Sequence, residues 1–123
     1  MSSQSQSVLR GDIVRVDFGE ADTADTRGSE MYKERPAVVI QNDQGNQHSS
    51  TTIVAPFTGG HSGYPFHVNF PASTDGLRKE SYVALDQIRT VDIEGRITGR
   101  LGSVTGQELD RIDTAIGVSL GLR

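Results

Sequence analysis

Two residues stand where a side chain would be well placed for chemistry. Arg35 ends a polar stretch, directly before Pro36 and an apolar run. Thr58 directly follows the next apolar segment, 52–57. A guanidinium carries a planar fork of N–H donors and a threonine one hydroxyl, so side by side they suit an anion. They meet only if the two segments are neighbouring strands, so that both side chains emerge at one rim. A rigid element end holds such a group more firmly than a loop. The simpler reading from spacing alone is structural: Arg35 pairs with Glu34 or Glu30 on the surface, and Thr58 begins a turn.

Other chemistries are poorly supplied. His48, His61 and His67 have no HxxxH or HExxH spacing, and each reads as a surface histidine. The carboxylates are scattered, with Asp22 and Asp25 in a loop and Asp92 and Glu94 near a turn, none at calcium-loop spacing. There is no GxxxxGK[ST] or GxGxxG cradle for phosphate, and Ser29 lacks the context of a nucleophile elbow. The chain has no cysteine, which removes disulfides, a thiol nucleophile, thiolate zinc and iron–sulfur clusters together. Twelve basic residues face sixteen acidic ones, a net charge of −4, so a broad basic face is excluded. Any polyanion must be held locally, and the local basic groups are Arg27, Lys33 and Arg35, then Arg78 with Lys79.

The elements that would position these residues are mostly strands. Val14, Val16 and Phe18 alternate with Ile13, Arg15 and Asp17, the period of a strand with one buried face. Residues 19–34 form a polar loop of about 16 residues, a length that usually carries function or mobility. Pro36 opens a β-branched run through Ile40 that reads as a central strand. Residues 41–50 carry turn chemistry in Asn42, Asp43, Gly45 and Asn46. Further strands are expected at 51–57, 66–70 and 81–88, and a weak Gly-interrupted one around Ile97, Leu101 and Val104. Thr105 and Glu108 have capping-box spacing, and Leu109, Ile112, Ile116 and Leu120 then recur at helical spacing. Gly117 and Gly121 would each weaken that helix by about 1 kcal/mol.

The pattern is therefore five or six short antiparallel strands followed by one C-terminal helix. That favours a small, highly curved sheet or SH3-like barrel. The length supports a single domain over residues 9–123, behind a solvated tail at 1–8. The longest apolar run is 37–40, so no transmembrane helix is expected. The opening MSSQSQSV has neither a basic n-region nor an apolar h-region, and a cytoplasmic protein is expected.

Five segments together resemble the MazF/PemK toxins of toxin–antitoxin pairs. They are Arg10-Gly11-Asp12-Ile13-Val14, Gly28-Ser29-Glu30, the run from Arg35-Pro36 to Asn42-Asp43, the run from Ser50-Thr51 to Phe57-Thr58, and Gln87-Ile88-Arg89-Thr90-Val91-Asp92. The resemblance covers roughly residues 9–122, in order and near the expected spacing. It implies an SH3-like barrel of the CcdB/PemK type, a homodimer, and a metal-independent, cofactor-free endoribonuclease acting on single-stranded RNA. It implies 2′,3′-cyclic phosphate and 5′-hydroxyl ends, and a MazE-like antitoxin as partner. Arg35 and Thr58 match the family's catalytic pair. Gly28, Ser29, Glu30, Lys33, Asp86 and Gln87 match positions that would contact the substrate.

Such a reaction needs no nucleophile from the protein, because the RNA 2′-hydroxyl attacks its own phosphate. The missing cysteines and metal site are then no handicap. An Arg35–Thr58 clamp on the charge growing at phosphorus is the reading that residue chemistry favours, ahead of proton transfer by arginine. The general base is not identified. Some PemK-type members carry His where this chain has Ser29, and an arginine where it has Ala84, so the resemblance is closer to the MazF type. Met31 and Lys33 replace the family's Gln and Gly. Asp86 either accepts from a base edge or supports the rim, while Arg89 either binds phosphate or buttresses a turn. The same fold also allows a gyrase-directed poison of the CcdB kind, or an SH3-like protein-binding module.

Overall fold

The computed structural model describes residues 7–21, 23 and 26–122. Its strands are β1 (Asp12–Asp17), β2 (Glu34–Val39), β3 (Thr51–Gly59), β4 (His67–Phe70), β5 (Ser81–Ala84), β6 (Arg89–Asp92) and β7 (Ile97–Ser103). The helices are α1 (Asp43–His48), α2 (Ile93–Arg96) and α3 (Gly106–Ser119). The strands pair in the order β4-β5-β3-β2-β1-β7, with β6 also on β3, and every pairing is antiparallel. The hydrogen-bonded path is open, ending at β4 and β7.

Seven strands form among the described residues, where five or six were expected. The expected 81–88 segment stops at Ala84, because Gln87 N donates to Ala84 O at 3.1 Å and turns the chain. β6 then starts afresh on the other part of β3, with Thr51↔Asp92 through Val54↔Arg89. β2 begins two residues before Pro36, because its pairing with β1 extends to Asp17↔Glu34. Residues 43–48, expected as a turn, are a helix. Asn42 is its N-cap, accepting from Gly45 N at 2.7 Å. Turn formers and N-cap formers are the same residue types, and this helix has no apolar period to distinguish them.

Alternation gives the sheet two packed faces. Val14, Val16, Ala37, Val39, Val54 and Val91 form one cluster. Val8 belongs to it at 6% exposure, so the last residue of the expected tail is part of the core; residues 1–6 lie outside the described residues. Ile13, Val38, Ala55, Phe57, Phe70 and Val83 form the other cluster, covered by Ile112 and Ala115 of α3. The capping box forms as expected: Thr105 Oγ1 accepts from Glu108 N at 3.1 Å, and Glu108 Oε1 from Thr105 N at 2.8 Å.

Leu120 departs from the expected apolar face. It is the C-cap and 59% exposed. Gly121 follows with φ +75°, and Leu122 N donates to Gly117 O at 2.8 Å. That is a Schellman ending, so Gly121 terminates the helix rather than weakening its interior. Among the described residues no helix is long and apolar enough to cross a membrane.

Candidate active site

Arg35 and Thr58 are brought together by strand pairing. β2 and β3 pair as Ala37↔Pro56, Val38↔Ala55 and Val39↔Val54. The same register continued by two residues sets Arg35 across from Thr58. The Arg35 guanidinium reaches back to β3, with Nη1 donating to Phe57 O at 3.5 Å. By alternation Arg35 shares its face with Ala37 and Val39, and Thr58 shares its face with Val54. Those three apolar residues lie in one cluster. The pair therefore extends a single packed face past its apolar end to the rim.

The loop before β2 holds Arg35 from the other side. Arg35 Nε donates to Tyr32 O at 3.1 Å, and the guanidinium carbon lies 6.0 Å from the Tyr32 ring centroid. Lys33 sits between them at φ +63°, and among the described residues it is the one non-glycine residue in the left-handed region. Its backbone is fixed on both sides: Lys33 N donates to Gly19 O, and Lys33 O accepts from Phe18 N at 3.0 Å. Partial burial draws the Arg35 guanidinium below the usual arginine value, while the Tyr32 phenol acts in the opposite direction.

Around this rim lies a groove of about 570 Å³ that both Arg35 and Thr58 line. Arg15, Lys33, Arg78 and Lys79 line it as well, against one acid, Glu34. The 78–79 pair arrives on the segment before β5, with Lys79 lying over Gly59: a Cβ there would fall 2.9 Å from Lys79 Cε. A chain of net charge −4 thus gathers five cations at one place. Among the described residues, no three His, Asp or Glu side chains gather in a way that could hold a metal ion.

Residues 9–120 match the family model for the PemK-like, MazF-like toxin of type II toxin-antitoxin systems. The chain belongs to that family. It is 40% identical over 110 residues to the endoribonuclease MazF of Staphylococcus saprophyticus, covering 88% of this chain and 91% of that one. Among solved structures, MazF of Deinococcus radiodurans superposes with a TM-score of 0.78 at 26% identity, over 95% of this chain and 99% of its own. An endoribonuclease in complex with its cognate antitoxin from a mycobacterial species superposes with a TM-score of 0.75 at 27% identity, over 94% of this chain and 97% of its own.

The remaining residues expected to contact substrate divide between two cavities and the surface. Lys33 lines the Arg35–Thr58 groove. Glu30, Asp86 and Gln87 line a second cavity of about 360 Å³ with Met31, Ile88 and Arg89. Gly28 and Ser29 are exposed and line neither. They form a turn in which Glu30 Oε1 accepts from Arg27 N at 2.8 Å and Glu30 N donates to Arg27 O at 3.1 Å. Arg89 Nη1 donates to Phe18 O at 3.2 Å, and its guanidinium lies over the Phe18 ring, so it braces the start of the long loop.

His67 is not the surface histidine that its strand phase suggests. Its side chain is 8% exposed. Nδ1 lies 2.6 Å from Ser62 Oγ, and Nε2 lies 2.9 Å from Asp86 Oδ1. The ring stacks on Tyr82 at 4.3 Å. Asp86 is thus tied by one oxygen to a buried ring while remaining 43% exposed at the second cavity. The Arg10-Gly11-Asp12 segment is structural. Gly11 turns at φ +93° with its N–H on Val39 O, Asp12 accepts from Leu9 N, and Arg10 pairs with Asp113 of α3.

Proposed function

We propose that this chain is the toxin of a type II toxin–antitoxin pair and cleaves single-stranded RNA at the rim where β2 and β3 meet. The supporting observation is the β2–β3 register, which carries Arg35 and Thr58 to one rim inside a groove with four further cations. Relatives named as endoribonucleases span nearly the whole chain, which favours this reading over a gyrase poison or a protein-binding module. The curved sheet with α3 against it is an SH3-like barrel of the CcdB/PemK type, working as a homodimer in the cytoplasm. An antitoxin of MazE kind covers the groove with an acidic, apolar segment.

The RNA supplies its own nucleophile. The 2′-oxygen bonds to the adjacent phosphorus as the bond to the 5′-oxygen breaks, leaving a 2′,3′-cyclic phosphate and a 5′-hydroxyl. A base removes the 2′ proton and an acid delivers one to the departing oxygen. Arg35 grips the two non-bridging oxygens with its fork, and Thr58 donates its hydroxyl to the same group. Partial desolvation of Arg35 strengthens its field on the phosphorane, since charges interact more strongly out of water. It also moves the guanidinium towards donating a proton, and clamping remains its first role. Lys33, Arg78 and Lys79 hold flanking phosphates. Glu30, Asp86 and Gln87 read base edges in the second cavity, and Gly28 and Ser29 contact the strand from the exposed 27–30 turn.

Incubating the pure protein with single-stranded RNA in excess EDTA tests this reading. Discrete cuts bearing cyclic-phosphate ends, with DNA untouched, are expected. Intact RNA would overturn it.

A further inference from the structure

The rim does not end at Thr58. Thr58 pairs with Tyr82 on β5, and Tyr82 pairs with Asn69 on β4. Cross-strand partners share a face, so Tyr82 stands beside Thr58 on the face that carries Arg35. From Tyr82 a series of rings runs outward. His67 stacks on Tyr82 at 4.3 Å with 25° between planes. Tyr64 and Phe66 meet His67 edge-on at 5.6 and 4.6 Å. Tyr64 and Phe66 stack on each other at 5.1 Å with 16° between planes. Although Phe66 lies against its ring, Tyr64 is 62% exposed.

These rings are held in place. Ser62 and Asp86 grip His67 from its two nitrogens, and Ser62 Oγ also accepts from Tyr64 N at 3.1 Å. The ring that faces water is therefore braced by Phe66 and His67, and its backbone by Ser62. Strands lie about 5 Å apart, so β4 is about 10 Å from β3. At the stacked rise of about 3.4 Å per nucleotide, β4 is reached about three nucleotides from a phosphate held at Thr58, and Tyr64 lies beyond it, in the loop that leads into β4.

We infer that Tyr64, braced by Phe66 and the Ser62–His67–Asp86 relay, is a stacking subsite for one unpaired nucleobase flanking the cut. This rests on the RNA-cleaving reading and extends it beyond the Arg35–Thr58 groove. A π-face takes any base, so the subsite adds affinity without adding sequence preference. The occupant is a base of the bound strand because Tyr82 is the cross-strand neighbour of Thr58 and the rings run on from Tyr82.

The test uses a 2′-O-methylated RNA carrying the cut sequence mapped on the wild-type protein. Each flanking base is replaced in turn by an abasic residue. Affinity is read by fluorescence anisotropy for wild type, Tyr64→Leu and Tyr64→Phe. At one flanking position the abasic change should weaken wild type and Tyr64→Phe by about 5- to 150-fold. Tyr64→Leu should bind the intact and abasic strands equally. An abasic penalty in Tyr64→Leu as large as in wild type at every position would overturn the subsite while leaving the nuclease reading intact. Wild type that cleaves no RNA would overturn both. A Tyr64→Leu protein that binds RNA normally but sediments as a dissociated monomer would assign the ring to a second copy of the chain.

Discussion

The gathering of five cations in one groove has a measurable salt signature. Arg15, Lys33, Arg35, Arg78 and Lys79 line it, and Glu34 offsets one of them. Taking the remaining four as phosphate contacts, single-strand binding should fall with a log–log salt slope of about −2.8, at about 0.7 per contact. Between 50 and 200 mM salt the affinity should then drop about 50-fold. Arg78→Gln with Lys79→Gln removes two contacts and leaves the Arg35–Thr58 rim in place. The slope should become about −1.4 and the drop about 7-fold over the same range. Both side chains lie on an exposed segment, so the double variant should fold normally. Anisotropy of a 2′-O-methylated, uncleavable RNA across five salt concentrations gives both slopes. A wild-type slope near zero, or an unchanged slope in the double variant, would refute the groove as the RNA path.

Further outcomes follow from individual side chains. Among the described residues, Asn69 Nδ2 is the one buried side-chain polar atom without a hydrogen-bond partner. Asn69→Val, on strand β4, should therefore raise stability by about 1 kcal/mol, read as a rise of about 3–5 °C in Tm. Thr105→Ala removes the acceptor for Glu108 N and should lower stability by about 1 kcal/mol in urea unfolding. Arg35→Lys keeps a charge but loses the fork. If clamping is its role, single-turnover cleavage should persist in part, and activity as low as in Arg35→Ala with RNA binding intact would show that bidentate geometry or proton transfer is essential.

Much of the fold was legible from local signals. The alternation at 13–18 set the buried face of Val14, Val16 and Phe18, although Ile13 on the phase read as outer is buried in the second cluster, and the Thr105–Glu108 spacing placed the start of α3. What escaped was decided by tertiary context. The 43–48 helix is driven by one N-cap and by Asn46, whose buried amide bonds Gln41 and Thr52 rather than following any apolar period. Gly121 read as a helix weakness because its role depends on a positive φ that sequence spacing does not reveal. The candidate site was legible where two residues stood at element ends, as Arg35 and Thr58 do. Arg15 was legible only as an outward strand position, since its place beside Arg78 and Lys79 depends on how the segment before β5 lies over β3. His67 read as exposed from its strand phase, but Tyr82 and Asp86 come from later segments and, with the adjacent Phe66, enclose it.

The most direct measurement is kcat/KM for wild type, Arg35→Ala, Thr58→Val and the double variant on one mapped RNA in excess EDTA. Losing a preorganised donor to transition-state charge lowers rate by about 10²–10³-fold. Arg35→Ala should reach at least that loss, Thr58→Val a smaller one, and the double variant should fall short of their product because both act on one phosphate. Full cleavage by Arg35→Ala would contradict the placement of catalysis at this rim.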